Sequence, residues 1–369
     1  MRISTDTAQA RFEISVIEVT NYSRIVLQSG ILVGNLNTMS TKTTFKPSWW
    51  LSNSHLQTIY PALFRKIPNP PHYRRERLTT PDHDFIDIAY CGMGNQPLVM
   101  LIHGLTGSSQ SGYIKGLQSA LLKQGLRSVA LNFRGCSGSS NNKARSYHSG
   151  ETGDIHFLYQ TLRHREPETP LGVVGFSLGG NVVLKWLGEQ GGQLDLFAAV
   201  AVSVPLLLGI CATKLDNGFS KLYRGNLLKE LKVYMHSKLQ YLDSIGQSQE
   251  AMKITELGDL SAIESFWQYD DRVVAKLHGF HDVQDYYWRS SSRQYLKSIA
   301  VPTLLIQALD DPFMTPEVLP GLDEVSAQVQ LEFTSHGGHV GFISGSIPFR
   351  PEYWLEQRIP EFLLGYTLA

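Results

Sequence analysis

Cysteine is scarce in this chain of 369 residues, which carries only Cys91, Cys136 and Cys211. These cysteines lie 45 and 75 residues apart, their number is odd, and no CxxC pair occurs. Disulfide frameworks and cysteine-based zinc sites require paired or closely spaced cysteines. The sequence therefore argues against both, and Cys136 is not expected to be a nucleophile.

An excess of one charge sign is also absent, because 33 Lys and Arg balance 33 Asp and Glu. A nucleic-acid binder needs an excess of basic side chains against phosphate, so no nucleic-acid partner is expected. Internal repeats and low-complexity tracts are missing as well, and hydrophobic residues make up 42% of the chain. This composition predicts a folded globular protein.

Long uninterrupted apolar segments are missing too. Charged residues between Asp6 and Arg24 interrupt the N-terminus, which therefore shows no secretory signal. The most apolar stretch, 196–212, contains Ser203 and Pro205 and is predicted to be a buried strand that runs into a loop. We expect a cytoplasmic protein whose contact with membranes is at most peripheral and transient.

Short apolar strands alternate with helical periods over the first half of the chain. This alternation is typical of βαβ units and predicts an α/β fold with a mostly parallel central sheet flanked by helices. A hairpin is predicted at 75–80 and 85–91, strands at 97–103, 127–133, 171–176 and 196–204, and helices at 113–124, 153–165 and 181–190.

The alternation stops between residues 205 and 296, where the patterning is helical. We therefore predict a core in two parts, 41–204 and 297–369, separated by a helical insertion at 205–296 that caps the site. Residues 1–40 are weakly patterned and are predicted to be an N-terminal extension, with Met39 as an alternative start. The helical stretches are predicted at 221–254 and 257–276, followed by strands at 303–308 and 328–333 and a helix near 353–364.

A serine in a glycine-rich turn is the first chemical feature of the sequence. Gly175-Phe176-Ser177-Leu178-Gly179-Gly180 follows an apolar strand and precedes a helical stretch, which is the context of a nucleophile elbow. Small residues two positions before and after the serine avoid clashes in this strained turn, and the helix N-terminus favours developing negative charge. Ser177 is the predicted nucleophile, the alternative being a chance GxSxG pattern.

The sequence also supplies an acid and a histidine after the serine. The chain order nucleophile, acid, histidine is the one that accompanies a nucleophile elbow. Asp310 and Asp311 follow the predicted strand 303–308, and Gly337-Gly338-His339 follows the next strand. We predict Asp311 as the acid, with Asp310 as a structural neighbour. His339 is the predicted base, because flanking glycines let a loop carry an imidazole into a cleft, and His336 is the competitor.

An oxyanion hole requires backbone N–H donors aimed at the developing charge. The segment His103-Gly104-Leu105-Thr106-Gly107 ends an earlier strand, and we predict that the Leu105 amide pairs with the Leu178 amide. An ordinary glycine loop is the alternative, and His103 is expected to order that loop. No metal or organic cofactor is expected, because the sequence has no phosphate-binding glycine loop and no histidine-rich cluster.

Together these motifs resemble the YheT-like branch of the α/β-hydrolases, which is related to eukaryotic abhydrolase-domain lipases. The resemblance implies an α/β-hydrolase fold and a serine hydrolase of carboxylic esters, with Ser177 as nucleophile, His339 as base and Asp311 as acid. It favours medium or long acyl chains, or lipid esters, over acetyl esters. The segments that carry it are 54–58, 103–107, 132–138, 147–152, 175–181, 310–313 and 337–339.

Several alternatives stay open at this point. A thioesterase or acyltransferase uses the same triad, and an idle hydrolase fold serves as a binding protein. In the segment 147–154 no chemical role is assigned to His148 or Glu151, and structural tethering of the loop after Arg134 is the preferred interpretation. Arg134 itself is expected to pin that loop through hydrogen bonds. Aromatic residues of the insertion either line an acyl pocket or form the insertion's own core, namely Trp267, Tyr269, Phe280, Tyr286, Tyr287 and Trp288.

Overall fold

A computed structural model describes residues 43–65 and 67–367 of the chain. The predicted extension at 1–40 and the alternative start at Met39 lie outside the described residues. None of the helices that the structure describes combines the length and the apolarity needed to cross a lipid bilayer.

An eight-stranded sheet runs through the described part of the chain. Its strands are β1 Arg74–Thr79, β2 Phe85–Cys91, β3 Leu98–Ile102, β4 Arg127–Asn132, β5 Leu171–Phe176, β6 Ala198–Val202, β7 Thr303–Ala308 and β8 Val329–Thr334. They lie in the order β1-β2-β4-β3-β5-β6-β7-β8. Pairing is antiparallel between β1 and β2 and between β2 and β4, and parallel across the rest of the sheet. The predicted mostly parallel sheet is therefore confirmed. Two further strands, β9 Ile343–Ser344 and β10 Glu352–Tyr353, form a separate pair.

Helices flank this sheet and fill the region between β6 and β7. They are α1 Ser54–Phe64, α2 Gly112–Lys123, α3 Gly153–Arg165, α4 Leu178–Gln190, α5 Leu208–Leu215, α6 Ser220–Ser244, α7 Ser248–Thr255, α8 Phe266–Tyr269, α9 Lys276–His278, α10 Val283–Ser290 and α11 Leu355–Thr367. A π-helical segment, Asp270–Ala275, joins α8 to α9. Short 3₁₀ turns lie at Trp49–Leu51, Gly191–Gln193, Ser292–Ser298, Pro316–Val318 and Leu322–Glu324.

Side chains of the central strands alternate between two cores. In β3, Leu98, Met100 and Ile102 pack with α3 and α4 on one face, whereas Val99 and Leu101 pack with α2 and α11 on the other. Because both faces are covered, these strands are continuous apolar runs in the sequence. The carboxyl ends of β5, β7 and β8 are followed by Ser177, Asp311 and His339, so the topology brings these residues to one edge of the sheet.

The region between β6 and β7 differs in detail from the sequence prediction. The predicted helical stretch 221–254 is two helices, because Gly246 takes a φ of 73° between α6 and α7. The stretch 257–276 becomes helical only at Phe266, since the Asp259 side chain accepts a hydrogen bond from the Ser261 amide (2.8 Å) and forms a turn. In the apolar stretch 196–212, β6 runs into a loop at 203–207 as predicted, but the last residues of the stretch belong to α5. The boundaries of the insertion at 205 and 296 stay a prediction.

Candidate active site

Ser177 occupies a strained turn between β5 and α4. Its φ of 52° and ψ of −122° lie in a region that residues with a Cβ rarely adopt. A Cβ added at Gly175 would lie 2.5 Å from the Gly179 carbonyl oxygen, and one added at Gly179 would lie 2.3 Å from the His103 carbonyl oxygen. Gly175 is therefore required where β5 and α4 approach each other, and Gly179 is required where this turn approaches the end of β3.

A continuous line of hydrogen bonds joins the three residues predicted as a triad. The Nε2 atom of His339 lies 2.9 Å from Ser177 Oγ, and Nδ1 of the same ring lies 2.8 Å from Asp311 Oδ2. A carboxylate only accepts hydrogen bonds, so Nδ1 carries the proton and Nε2 is left as an acceptor facing the serine.

The neighbouring Asp310 and His336 face away from this line. Asp310 accepts a hydrogen bond from the Gly338 amide (2.9 Å) and lies 3.4 Å from Nδ1 of the half-exposed His336. The Asp311 carboxyl is buried instead, and it also accepts from the Phe313 amide (2.8 Å). Asp310 thus holds the backbone of the histidine loop, whereas Asp311 contacts the imidazole itself.

The His339 loop is fixed at both of its sides. The His339 amide donates to Thr58 Oγ1 at 2.9 Å, and the Val340 amide donates to Ser203 Oγ at 3.0 Å. The Phe313 ring stacks on the His339 imidazole, with centroids 4.0 Å apart and planes 5° from parallel. These contacts restrict the rotation of the imidazole and hold Nε2 towards Ser177.

Gln57 of α1 extends this support. Its fully buried amide group donates to the carbonyls of Leu51 (2.7 Å) and Ile343 (2.9 Å), and it accepts from the Ile343 amide (2.6 Å). A Cβ at Gly341 would lie 2.2 Å from the Gln57 carbonyl oxygen, which shows how closely α1 and the histidine loop pack. The segment 54–58 therefore positions the loop that carries His339.

Two tyrosines hold the predicted oxyanion loop. Tyr113 Oη accepts a hydrogen bond from the Gly104 amide, and Tyr147 Oη accepts one from the Thr106 amide, each at 2.9 Å. The amide between them, that of Leu105, has no acceptor among the described residues. The Leu178 amide, at the first position of α4, has no acceptor within the helix.

His103 orders the same loop from below. Its Nε2 accepts a hydrogen bond from the Phe133 amide (3.1 Å), so its Nδ1 carries the proton and donates to the Gly104 carbonyl (2.7 Å). Complete burial lowers the pKa of His103 to about 4, which keeps the imidazole neutral. His103 is thus a structural residue, as the sequence predicts.

Arg134 ties the loop after β4 to three acidic residues. Its guanidinium bonds Asp154 through two nitrogens (2.8 and 2.7 Å), Asp82 at 2.8 Å and Asp84 at 3.4 Å. The Arg134 side chain is buried, so the surrounding carboxylates balance its charge. Burial raises the pKa of the nearby Cys136 thiol to about 12, which opposes a nucleophilic role for it.

His148 and Glu151 have structural contacts in the neighbouring segment. His148 Nδ1 accepts from the Gly150 amide (3.1 Å), and burial lowers the pKa of His148 to about 3. Glu151 contacts Arg145 and accepts from the Gly153 amide (2.8 Å) at the start of α3. Both residues therefore tether the segment 147–154, which was the preferred interpretation.

A cavity of about 600 Å³ opens above Ser177 and His339. Its wall between β6 and β7 is largely apolar and includes Pro205, Leu208, Leu215, Leu227, Leu231, Phe266 and Val274. Of the aromatic residues singled out from the sequence, Tyr269, Tyr286 and Tyr287 line the cavity, whereas Trp288 is 71% exposed. Trp267 and Phe280 pack against the apolar core of the insertion. No group of three His, Cys, Asp or Glu residues in the described ranges is arranged to hold a metal ion.

The chain matches known proteins over most of its length. Residues 97–346 fit the family model described as the alpha/beta hydrolase fold. The YheT protein of Escherichia coli (strain K12) is 38% identical over 344 residues, which cover 92% of this chain and 98% of YheT. This chain belongs to the α/β-hydrolase family.

Other members of the α/β-hydrolase family are similar at greater distance. Human monoacylglycerol lipase ABHD2 is 28% identical, over 87% of this chain and 80% of the lipase, and human phospholipase ABHD3 is 27% identical, over 84% and 76%. An esterase of Pyrococcus furiosus, Pf2001, superposes with a TM-score of 0.51 at 21% identity, over 82% of this chain and 98% of that chain, which shows the shared fold.

These comparisons confirm the predicted resemblance to YheT-like α/β-hydrolases. They confirm at family level the prediction of a carboxylic ester hydrolase, since the relatives include a lipase and a phospholipase. Sequence reasoning did not assign roles to Gln57, Thr58 and Tyr147, although the resemblance covers all three. Tyr113 and Asp270 also line the cavity, but no sequence pattern indicated a role for either of them.

Proposed function

We propose that this α/β-hydrolase is a serine hydrolase that cleaves carboxylic esters through an acyl-enzyme intermediate. The observation that carries the proposal is the hydrogen-bonded line Asp311, His339, Ser177 at the base of an apolar cavity. Nucleophile, base and orienting acid within hydrogen-bond reach of one another are the mark of an activated serine.

In the first step, Ser177 Oγ attacks the ester carbonyl carbon while His339 Nε2 accepts the hydroxyl proton. Asp311 stabilises the imidazolium that forms and keeps its Nδ1–H directed away from the serine. Collapse of the tetrahedral intermediate breaks the bond to the alcohol, and His339 returns the proton to the leaving oxygen. The products of this step are a free alcohol and an ester of Ser177.

The negative charge of the tetrahedral intermediate falls on the former carbonyl oxygen. We assign its stabilisation to the amides of Leu105 and Leu178, which flank Ser177 from the oxyanion loop and from the start of α4. The tyrosine bonds to Gly104 and Thr106 hold the Leu105 amide in place before the substrate arrives. Preorganised donors of this kind contribute about 3 to 4 kcal/mol each to the transition state.

Water completes the cycle. His339 Nε2 takes a proton from a water molecule, whose oxygen attacks the acyl carbonyl carbon. The second tetrahedral intermediate uses the same two amides, and its collapse returns the proton to Ser177 Oγ and releases the carboxylic acid. The enzyme is then in its starting state.

For the substrate, we propose medium or long acyl chains or lipid esters. The cavity is large for an acetyl group, and its apolar wall from the insertion favours the burial of methylene groups. The relatives named as a monoacylglycerol lipase and a phospholipase also act on esters of this class. We therefore propose that the insertion at 205–296 caps the site and binds the acyl chain.

The test is mass-resolved labelling with a fluorophosphonate, applied to the native chain, Ser177→Ala and His339→Ala. We expect one adduct on Ser177 of the native chain and none in either variant. Ser149→Ala is the matched control, since it removes another serine from the cavity wall and should keep the adduct. An unlabelled, folded native chain would refute the proposal and favour a binding protein.

A panel of p-nitrophenyl esters then tests the substrate class. We expect kcat/KM to rise from acetyl to octanoyl esters by about tenfold or more, because each buried methylene contributes about 0.8 kcal/mol. A matched octanoyl thioester separates the thioesterase alternative, which predicts faster turnover of the thioester. Highest activity on acetyl esters would contradict the proposed role of the cavity.

A further inference from the structure

Asp270 places a carboxyl group in the apolar wall of the cavity. It opens the π-helical segment, directly after α8, and it lies between the cavity-lining residues Phe266 and Val274. Insertions of π-helix are costly and recur at functional sites, where they redirect a side chain. Here the segment turns an acidic residue towards the same cavity that holds Ser177.

The contacts of this carboxyl are incomplete. Tyr287 Oη donates to Asp270 Oδ2 at 2.7 Å, but Oδ1 has no hydrogen-bond partner among the described residues. No cationic side chain in those residues lies within ion-pair distance of it, and burial raises the pKa of Asp270 to about 7. Near neutral pH this carboxyl therefore can accept a hydrogen bond or donate one.

An unpaired carboxyl is unfavourable in a wall that serves only to bind an acyl chain. A carboxyl group that lines an apolar cavity is only partly hydrated there, and the lost hydration costs free energy that an apolar residue would not. The bond from Tyr287 ties α10 to the π-helical segment, which accounts for one oxygen only. The second oxygen is left free to bond a group that enters the cavity from outside the chain.

We propose that Asp270 is a specificity residue whose free carboxyl oxygen binds a hydroxyl group of the ester substrate. The inference rests on the proposed function, because it places that hydroxyl in the cavity above Ser177. The hydroxyl belongs either to the alcohol part of the ester, as in a glycerol monoester, or to a hydroxylated acyl chain. Because the pKa of Asp270 is raised to about 7, its carboxyl group is only partly ionised near neutral pH. Its single remaining oxygen therefore fits a neutral hydroxyl better than an ammonium group.

The test compares matched esters that differ only in a hydroxyl group. Mono-octanoylglycerol against propyl octanoate probes the alcohol side, and ethyl ω-hydroxyoctanoate against ethyl octanoate probes the acyl side. We expect Asp270→Ala to lower kcat/KM for the hydroxylated member of one pair by about tenfold or more, since one hydrogen bond is lost. The plain esters should change by no more than about twofold.

Two further variants separate recognition from folding. Asp270→Asn keeps the size of the side chain and its bond to Tyr287, and its amide still bonds a hydroxyl, so it should lose less than Asp270→Ala. Asp271→Asn is the matched control: its neighbouring side chain is exposed, bonds the Val283 amide (3.1 Å) and does not line the cavity. It should leave both members of each pair unchanged.

Equal losses on hydroxylated and plain esters in both Asp270 variants would overturn the inference and leave a structural role. A preference for octanoylcholine that Asp270→Ala abolishes would overturn it in favour of a cation site. In either case Ser177 would still form its fluorophosphonate adduct and hydrolyse ethyl octanoate. Loss of both properties in the native chain would instead refute the proposed function itself.

Discussion

The strongest test of the proposed triad compares Asn substitutions at the two adjacent aspartates after β7, Asp310 and Asp311. In Asp311→Asn, one amide atom must still accept from the Phe313 amide, so the NH₂ group is turned towards His339 Nδ1. Gln307 Nε2 also donates to this position (3.2 Å), which leaves donors facing donors. The imidazole relieves the conflict by carrying its proton on Nε2 instead of Nδ1. Protonated Nε2 can no longer accept the proton of Ser177.

We expect this variant to lose about ten-thousand-fold in kcat, which corresponds to about 5.4 kcal/mol of activation free energy. In Asp310→Asn, the amide oxygen still accepts from Gly338, and its NH₂ group faces the half-exposed His336. Its loss should stay within about tenfold, because no atom of Asp310 touches the reacting imidazole. Both variants keep the size and shape of the native side chain.

The assay is the hydrolysis of p-nitrophenyl octanoate, together with the rate of fluorophosphonate labelling and a thermal unfolding curve for each variant. The unfolding curves separate a catalytic loss from a folding defect. Equal losses in the two variants, or a larger loss in Asp310→Asn, would refute the assignment of Asp311 as the orienting acid.

Three further outcomes follow from the same contacts. Gln57→Leu should lower the Tm and kcat, because a buried backbone amide and carbonyl are left unpaired at about 1–3 kcal/mol each; a Tm unchanged within error would contradict this. Gly179→Ala should abolish fluorophosphonate labelling, whereas Gly192→Ala, with open space around its Cβ, should keep it. The pKa values of His103 and His148, lowered to about 4 and about 3 by burial, make the free energy of unfolding fall as pH drops below about 6.5, by up to about 1.4 kcal/mol per pH unit for each imidazole. Urea unfolding between about pH 7 and 5 measures this slope, which His148→Gln should reduce.

The strands of the core and the chain order of Ser177, Asp311 and His339 could be predicted from sequence because their signals are local. Buried parallel strands are continuous apolar runs, so β5 and β7 were predicted at their observed bounds. The turn around Ser177 is recognisable in the sequence because a Cβ at its flanking glycines would clash with neighbouring backbone. The order of Ser177, Asp311 and His339 follows from strand order, since each comes after a parallel strand.

The insertion was less predictable, because its helices pack on a core of their own and on the cavity. Helical apolar spacing occurs on both sides of the short break at Gly246, so α6 and α7 merged into one predicted helix. Nothing in the sequence around Asp270 marks a π-helical segment or a carboxyl that faces a cavity. The support from Gln57 and Tyr113 is likewise tertiary, and it becomes visible only when distant segments meet.

The contacts between α1 and the loop that carries His339 have a consequence for how the chain folds during its synthesis. The contacts of Thr58 with His339 and of Gln57 with Ile343 span 281 and 286 residues of chain. Loops of that length close late in folding. A nascent chain that has already folded β5 and α4 carries the proposed nucleophile Ser177, yet the proposed base His339 is in place only after the residues that follow β8 are synthesised and reach α1. If the proposed triad is correct, ester hydrolysis reports complete folding, and a product truncated before His339 is inactive even when its turn around Ser177 is native.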